Sequence, residues 1–510
     1  MLLLAAGLRF WNVEHDSDLS VVFSQDARNY FYQAKDLATK GDIPTAPNQR
    51  YLLYRQPLFI IRSYAAIWSA LDRVGLAGDD RRMRIGYTIY IILFSLGTVV
   101  LVFQLGNIVL GGPNPALFAS LLFATFPVSV VGCLYVKEDT ALMFWFTAAL
   151  LAMAKLIQTG RKRWYLWSGF LLGMAISTKY PGLLLLPIFL LAHVFRVLQA
   201  RTGDRIKTLL VWQCFAALGV TVLTFLSLNS QAVTEWSDAL KGFLYQIEYA
   251  GAGHHDGTII WGSDYWWTFY LRYAILPGIT WPATLLCLAG LVLAVVQRNR
   301  LLILIAFTVL LIYIQFESSP AKPFPFFARY LDMLYPLLAI LAAFAFFALW
   351  RRLQARVVQS VLGVMIGLIC ILVPFGTSML VVTGARPDTR TVATRWIEGH
   401  LPTGSRIILG SRMYSPQQID STRFQVKYDR QLQMRSAAWL QKQKFDYLVV
   451  SSFQYDRYSF SLKSSKTSRK IYRNYESFAK NLELVQVIQP RFGFQSYGEH
   501  NPVIRIYRIS

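Results

Sequence analysis

From Ile85 to Thr383 the sequence is a succession of long apolar runs parted by short polar breaks, and a chain built this way folds in a lipid bilayer. Ten runs read as spanning segments: Ile85–Leu110, Asn114–Val136, Thr140–Gln158, Trp164–Ser177, Gly182–Leu198, Thr208–Asn229, Trp267–Val296, Leu301–Phe316, Leu331–Trp350 and Val357–Thr383. Crossing the hydrocarbon takes about 20 residues. The opening run Met1–Trp11 is too short for that, and reads as a partial first helix whose upstream part precedes the first residue given. With it the expectation is roughly 11 spans. The stretch "PLFIIRSYAAIWSAL", Pro57–Leu71, is shorter and holds Arg62, so it reads as a helix along the membrane surface. Composition agrees: 15% of residues are charged, against about a quarter in soluble domains.

The net charge of +23 raises the question of nucleic acid, and its distribution argues against it. Four links are short and basic: Arg161–Arg163, Arg196–Lys207, Gln297–Arg300 and Arg351–Arg356. If the spans alternate, all four share one side, and basic short loops mark the cytoplasmic side. The longer or mixed-charge connections then lie outside: Asn12–Arg84, Lys137–Asp139, Thr178–Pro181, Gln231–Trp266, Glu317–Tyr330 and everything after Gly384. The expected localisation is a multi-pass protein of the inner (plasma) membrane. No cleavable signal peptide is visible. The four cysteines, Cys133, Cys214, Cys287 and Cys370, sit in apolar runs and behave as small hydrophobes rather than as a disulfide framework.

After Gly384 the apolar runs stop. "DTRTVATRWIEGHL" and "RQLQMRSAAWLQKQ" have helical spacing, while "RIILG", "YLVVSS", "LELVQVI" and "NPVIRIYRI" read as strands. The expected fold class is therefore a polytopic all-α membrane protein with a C-terminal extracytoplasmic α/β domain. The division falls at residues 1–383, with a first outer loop at 12–84, and 384–510. The tail carries 21 Lys and Arg against 9 Asp and Glu. This is either a solvated basic surface or one that attracts anionic headgroups or a phosphorylated acceptor.

The outer connections hold the unusual side chains. In "FSQDARNYFYQ", Tyr30, Ala34 and Leu37 recur at helical spacing, which puts Asp26 near the start of an amphipathic helix, as a cap or as a functional acid. In "YLLYRQPLF", Arg55 precedes Pro57 and stands at headgroup depth, where it either snorkels to lipid or binds a ligand phosphate. "YVKEDT" sets Lys137, Glu138 and Asp139 between two spans. Adjacent acids there need pairing, hydration or a metal ion, unless they form only a charged turn. "STKYPG" places Lys179 in a tight outer turn, and "GAGHHDG" offers His254, His255 and Asp256, a weak metal pattern and more simply a polar loop. "KPFPFFARYLDMLYP" places Arg329 at the start of a span. Together these acids and cations suit an anionic lipid-phosphate donor held beside a carboxylate base.

The order of these elements resembles the GT-C membrane glycosyltransferases, in particular the protein O-mannosyltransferases and the lipid A aminoarabinose transferase. The resemblance runs over residues 1–383 and rests on Asp26 in the first outer loop, Arg55–Phe59, Asp139, "TKYPG" at Thr178–Gly182, and Arg329–Pro336. The tail resembles the extracytoplasmic domains of bacterial relatives. It implies an inverting hexosyl- or pentosyltransferase that moves a sugar from a polyprenyl-phosphate donor to a glycan, lipid or protein acceptor on the outer face. Asp26 would be the general base. Arg55, Lys137, Lys179 and Arg329 would bind donor phosphate, and Glu138, Asp139, His254 and His255 would orient acceptor or donor. Cofactors are left open, with Glu138 and Asp139 as candidate ligands of a divalent ion. Membrane lipid is an expected partner and nucleic acid is not. Where such families commonly have Asp-Glu, this chain has Asp26-Ala27-Arg28.

Two other readings fit a polytopic chain. A lipid or solute transporter or flippase would put polar groups at mid-membrane in broken helices, whereas the charges here cluster at one end. A scaffold for envelope assembly would leave Asp26 dispensable.

Overall fold

The computed structural model describes residues 1–15, 24–76, 78–252, 267–319, 322, 325–353, 357–463, 465–492 and 500–509. The first helix, α1 (Leu2–Phe10), is nine residues long. It is keyed into the bundle by a buried arginine: Arg9 donates to Ser95 Oγ at 2.7 Å, Ser129 Oγ at 2.9 Å and the carbonyl of Ala124 at 3.0 Å. The outer segment that follows holds α2 (Gln25–Lys40), a 3-10 segment Pro47–Arg55 and α3 (Phe59–Arg73). Ile60, Ile61, Tyr64 and Trp68 of α3 pack with Phe31, Tyr54 and Tyr87 in one core.

The bundle runs through α4 (Asp80–Leu110), α5 (Pro113–Thr125), α6 (Pro127–Val131), α7 (Asp139–Thr159), α8 (Arg163–Thr178), α9 (Leu185–Gln199), α10 (Arg205–Leu209) and α11 (Trp212–Leu228). Next come α12 (Ser230–Thr234), α13 (Trp236–Ala252), α14 (Leu276–Ile279), α15 (Trp281–Val296), α16 (Arg300–Glu317), α17 (Tyr335–Leu353) and α18 (Val357–Gly384). Among the described residues seven helices are long and apolar enough to cross a membrane, or nine if two bent pairs each count as one. This is a multi-pass membrane protein. The spans expected at Asn114–Val136 and Trp267–Val296 are the bent ones, turning by 57° and 111°. Proline explains both sites: Pro127 and Pro282 each remove an amide from the helical ladder, and Thr280 between α14 and α15 has φ 68°. Helix α8 has 16 residues, about 24 Å of rise, which is short for a full crossing. Close helix crossings use glycine. A Cβ on Gly290 of α15 would overlap the carbonyl oxygen of Leu341 in α17, and one on Gly169 of α8 that of Ala217 in α11.

Alternation of the chain sorts the links into two ends. Arg196 packs over Gly160 at the basic end. At the other end, Asn229 accepts from the Leu58 amide at 2.8 Å and Tyr180 donates to the Tyr54 carbonyl at 2.8 Å.

Beyond α18 the chain wraps a five-stranded sheet of β1 (Arg406–Leu409), β2 (Gln425–Tyr428), β3 (Tyr447–Ser451), β4 (Glu483–Ile488) and β5 (Ile504–Arg508), in the order β2-β1-β3-β5-β4. β1 is parallel to β2 and β3, and β5 is antiparallel to β3 and β4. Helix α19 (Thr389–His400) covers one face through Ala393 and Ile397. On the other face are α20 (Ala437–Lys442), α21 (Ser452–Tyr455) and α22 (Lys466–Asn481), with Leu440, Ile471 and Phe478 buried. The unit is pinned to the end of α18 by a buried pair. Arg390 Nε donates to Asp388 Oδ1 at 2.8 Å, and Asn501 links Asp388 to the Gly384 carbonyl at 2.7 Å on each side.

Candidate active site

At the end of the bundle away from the basic links, charged side chains from four separate elements meet. Ser24 caps α2, its Oγ accepting from the Ala27 amide at 3.4 Å. Capping thus falls to Ser24, and the Asp26 carboxylate turns away to Arg329, whose Nη2 donates to Asp26 Oδ2 at 3.0 Å. Lys137 Nζ lies 3.9 Å from the same oxygen. Ala27 is fully buried in the core of the outer segment and Arg28 points to solvent beside Tyr32. The two residues after Asp26 therefore serve packing and surface.

Beneath Asp26 is a buried layer. Glu138 and Asp139, at the start of α7, are only 5% and 4% exposed. Both grip Lys179 at the end of α8, with Nζ 2.8 Å from Glu138 Oε1 and 2.6 Å from Asp139 Oδ1. Burial works against the Lys179 ammonium, but the two carboxylates outweigh it and raise its pKa. Arg329 Nε stands 3.4 Å from Asp139 Oδ2, joining the layer to Asp26. Tyr330 takes Lys179 over its ring at 5.6 Å. Tyr30, one turn along α2 from Asp26, is pushed well above the usual phenol range by burial and by the charges of Glu138 and Asp26, so it is a neutral hydroxyl there. The contrast in exposure is informative: Asp26 has half of its side chain (51%) open to solvent, above partners that are nearly sealed.

Sequence reasoning did not single out Asp332. It is buried one turn beyond Arg329, faces the charges of Asp139, Lys179, Arg329 and Lys137, and its Oδ1 has no hydrogen-bond partner among the described residues. An acid three residues after Arg329, at the mouth of a span, was the available signal.

Arg55 stands apart from this cluster, on the 3-10 segment. Its guanidinium lies over Tyr249 at 4.6 Å and Tyr245 at 5.2 Å, and Nε donates to Gln246 Oε1 at 3.3 Å. That segment is clamped by Arg50, which donates to Glu235, in the link between α12 and α13, at 2.7 and 2.8 Å and to Asp42 at 2.9 Å. The Arg50 fork holds Glu235 below the usual carboxylate range. His254, His255 and Asp256 lie outside the described residues. Among the described residues, no group of three or more His, Cys, Asp and Glu is placed to hold a metal ion.

The fold is that of the GT-C membrane glycosyltransferases, and within them the chain resembles the protein O-mannosyltransferase and ArnT group. Residues 82–227 match the family model described as dolichyl-phosphate-mannose-protein mannosyltransferase. ArnT from Cupriavidus metallidurans, solved with undecaprenyl phosphate, superposes over 99% of this chain and 96% of its own, at 14% identity and a TM-score of 0.53. The apo oligosaccharyltransferase of Archaeoglobus fulgidus superposes over 95% of this chain and 72% of its own, at 11% identity and a TM-score of 0.55. The archaeal oligosaccharyltransferase AglB from Archaeoglobus fulgidus, solved with an inhibitory peptide and dolichol-phosphate, gives 90% and 70% coverage at 11% identity and a TM-score of 0.51. No curated protein matches the sequence.

Proposed function

We propose that this protein is a membrane glycosyltransferase that moves a sugar from a polyprenyl-phosphate-linked donor to an acceptor hydroxyl or phosphate, inverting the anomeric carbon, with Asp26 as general base. The observation that carries the reading is the half-exposed Asp26 carboxylate joined to Arg329 and Lys137 above a sealed charged layer. Undecaprenyl phosphate in ArnT and dolichol-phosphate in AglB support the choice of donor.

In the forward reaction Asp26 takes the proton of the acceptor as its oxygen attacks the anomeric carbon. The bond from that carbon to the donor phosphate breaks, and its electron pair leaves on the phosphate oxygen. The departing lipid phosphate gains negative charge and needs fixed cations, not a protonating acid. Arg329 and Lys137 are close enough to Asp26 to supply them, and Arg55, apart from them on the outer segment, is a further cation for the donor rather than for the leaving oxygen. Arg329 and Lys137 pair with the Asp26 carboxylate, so a donor phosphate that takes these cations also frees the base. Lys179 shares its charge between Glu138 and Asp139 and holds the floor in register. Glu138 and Asp139 act on the substrate through Lys179 and Arg329, which they hold in place. If a divalent ion takes part, Glu138 and Asp139 are its candidate ligands.

The basic links sit at the opposite end, and by the positive-inside tendency the site and the α/β unit face out of the cytoplasmic membrane. The charged groups of the site, Asp26, Lys137, Glu138, Asp139, Lys179 and Arg329, are at helix ends or in links rather than at mid-span, which favours group transfer at the surface over transport. The test is purified protein given a labelled polyprenyl-phosphate sugar and a membrane extract. Release of polyprenyl phosphate with one inverted product anomer supports the reading, and passage of intact label with no bond cleaved overturns it.

A further inference from the structure

Helix α22 carries a row of cations that the proposed chemistry does not use. Lys466, Arg469, Lys470 and Arg473 recur at helical spacing, so they share one face, and all four are exposed. Among the described residues none of them forms an ion pair. With Asn474 they line an open cleft of about 510 Å³ on the face of the sheet opposite α19. Four like charges within eight residues repel one another, and a surface meant only for solubility would intersperse acids. A ligand of opposite charge removes the repulsion.

The topology says which way the row faces. β4 follows α22 after the single residue Leu482, so helix and strand run in opposite directions. The first turns of α22 therefore lie over the Ile488 end of β4, which pairs with Ile504 at the start of β5. That end of the sheet is the one held to Gly384 at the exit of α18, through Asn501. The basic row thus lies at the bundle-facing end of the α/β unit, on the side turned away from α19.

We propose that this face of α22 docks on anionic phospholipid headgroups, the phosphodiesters entering the cleft between Lys466, Arg469, Lys470 and Arg473. Spread over eight residues, the row spans about 10 Å, enough for more than one headgroup. Each cation at an anionic surface contributes about a fivefold change in affinity. The contact would steady the α/β unit over the site end of the bundle. It rests on membrane embedding alone and stands or falls separately from the glycosyltransferase reading.

The test is hydrogen–deuterium exchange of the full chain in nanodiscs of phosphatidylcholine, with and without phosphatidylglycerol. Exchange of α22 should slow several-fold when phosphatidylglycerol is present. The protection should vanish in high salt and in the K466Q/R469Q/K470Q/R473Q variant. The β3 amides, which should stay protected throughout, show that the variant is folded. Equal exchange in both lipids overturns the proposal. Equal protection by inorganic phosphate in phosphatidylcholine discs overturns it too, since the cleft would then be a site for a free or acceptor phosphate.

Discussion

Replacing Lys179 with Met removes the one cation held between two buried acids. Glu138 and Asp139 would then face each other with carboxylate oxygens no farther apart than the two contact lengths together, about 5.4 Å. At an effective dielectric of about 20, two unit charges at that distance repel by about 3 kcal/mol. This agrees with the 3–5 kcal/mol typical of a buried ion pair that loses one partner. The 3.4 Å contact of Arg329 with Asp139 offsets part of it. The sign with pH is fixed. Repulsion favours a bound proton on one acid of the folded variant, at a pH where the unfolded chain, with carboxylates near about 4, has lost it. A raised folded value gives stability that is present in acid and fades as pH rises, so the deficit against the parent should be smallest in acid and largest near neutrality. Denaturant unfolding of the detergent-solubilised protein across a pH series reads this directly. The Glu138→Gln/Lys179→Met double variant should regain most of the loss. Parental stability of Lys179→Met at neutral pH, or a deficit that ignores pH, would refute the reasoning.

Three further outcomes follow from other parts of the structure. Gly290→Leu, at the crossing of α15 and α17, should cost about 1–3 kcal/mol or more by forcing the two helices apart, read as a lower melting temperature in detergent. Arg55→Ala should raise the KM for the polyprenyl-phosphate sugar about ten- to a hundredfold with a smaller change in kcat, as expected for loss of a charged contact to donor phosphate. Asp388→Asn strips the charge partner from fully buried Arg390 and should weaken the α/β unit by about 3 kcal/mol, seen as faster proteolysis just after α18.

Most of the bundle was legible because bilayer length and apolar runs are coarse signals, and α4, α7, α9, α11, α16 and α17 lie where the runs predict them. The two bent pairs were not, since whether Pro127 or Pro282 breaks a helix depends on what fills the gap around it. In the tail, β1, β3, β4 and β5 match runs rich in branched residues. The edge strand β2, "QVKY", is too short and polar to announce itself, and α22 buries only Ser468, Ile471 and Phe478 along 16 residues. At the site, the sequence pointed to Asp26, Lys137, Glu138, Asp139, Lys179 and Arg329, and the structure gathers all six. That Lys179 is clamped by both neighbouring acids, while Asp26 stays half open, is a tertiary fact. So is the place of Asp332, which in sequence is one more acid beside a span. Arg55 sits farther out than the others, because the 3-10 segment that carries it is bound to the link between α12 and α13 by Arg50 and Glu235.

The central claim is that Asp26 takes the proton of the acceptor. The measurement that tests it most directly is the rate of polyprenyl phosphate release by Asp26→Asn, alongside binding of the polyprenyl-phosphate sugar. The amide keeps the size of the side chain and loses its basicity and charge. Release should fall by about 10²–10⁴, while donor binding holds or tightens, because Arg329 and Lys137 no longer share their charge with a carboxylate. Turnover at the parental rate by a folded Asp26→Asn protein would contradict the account.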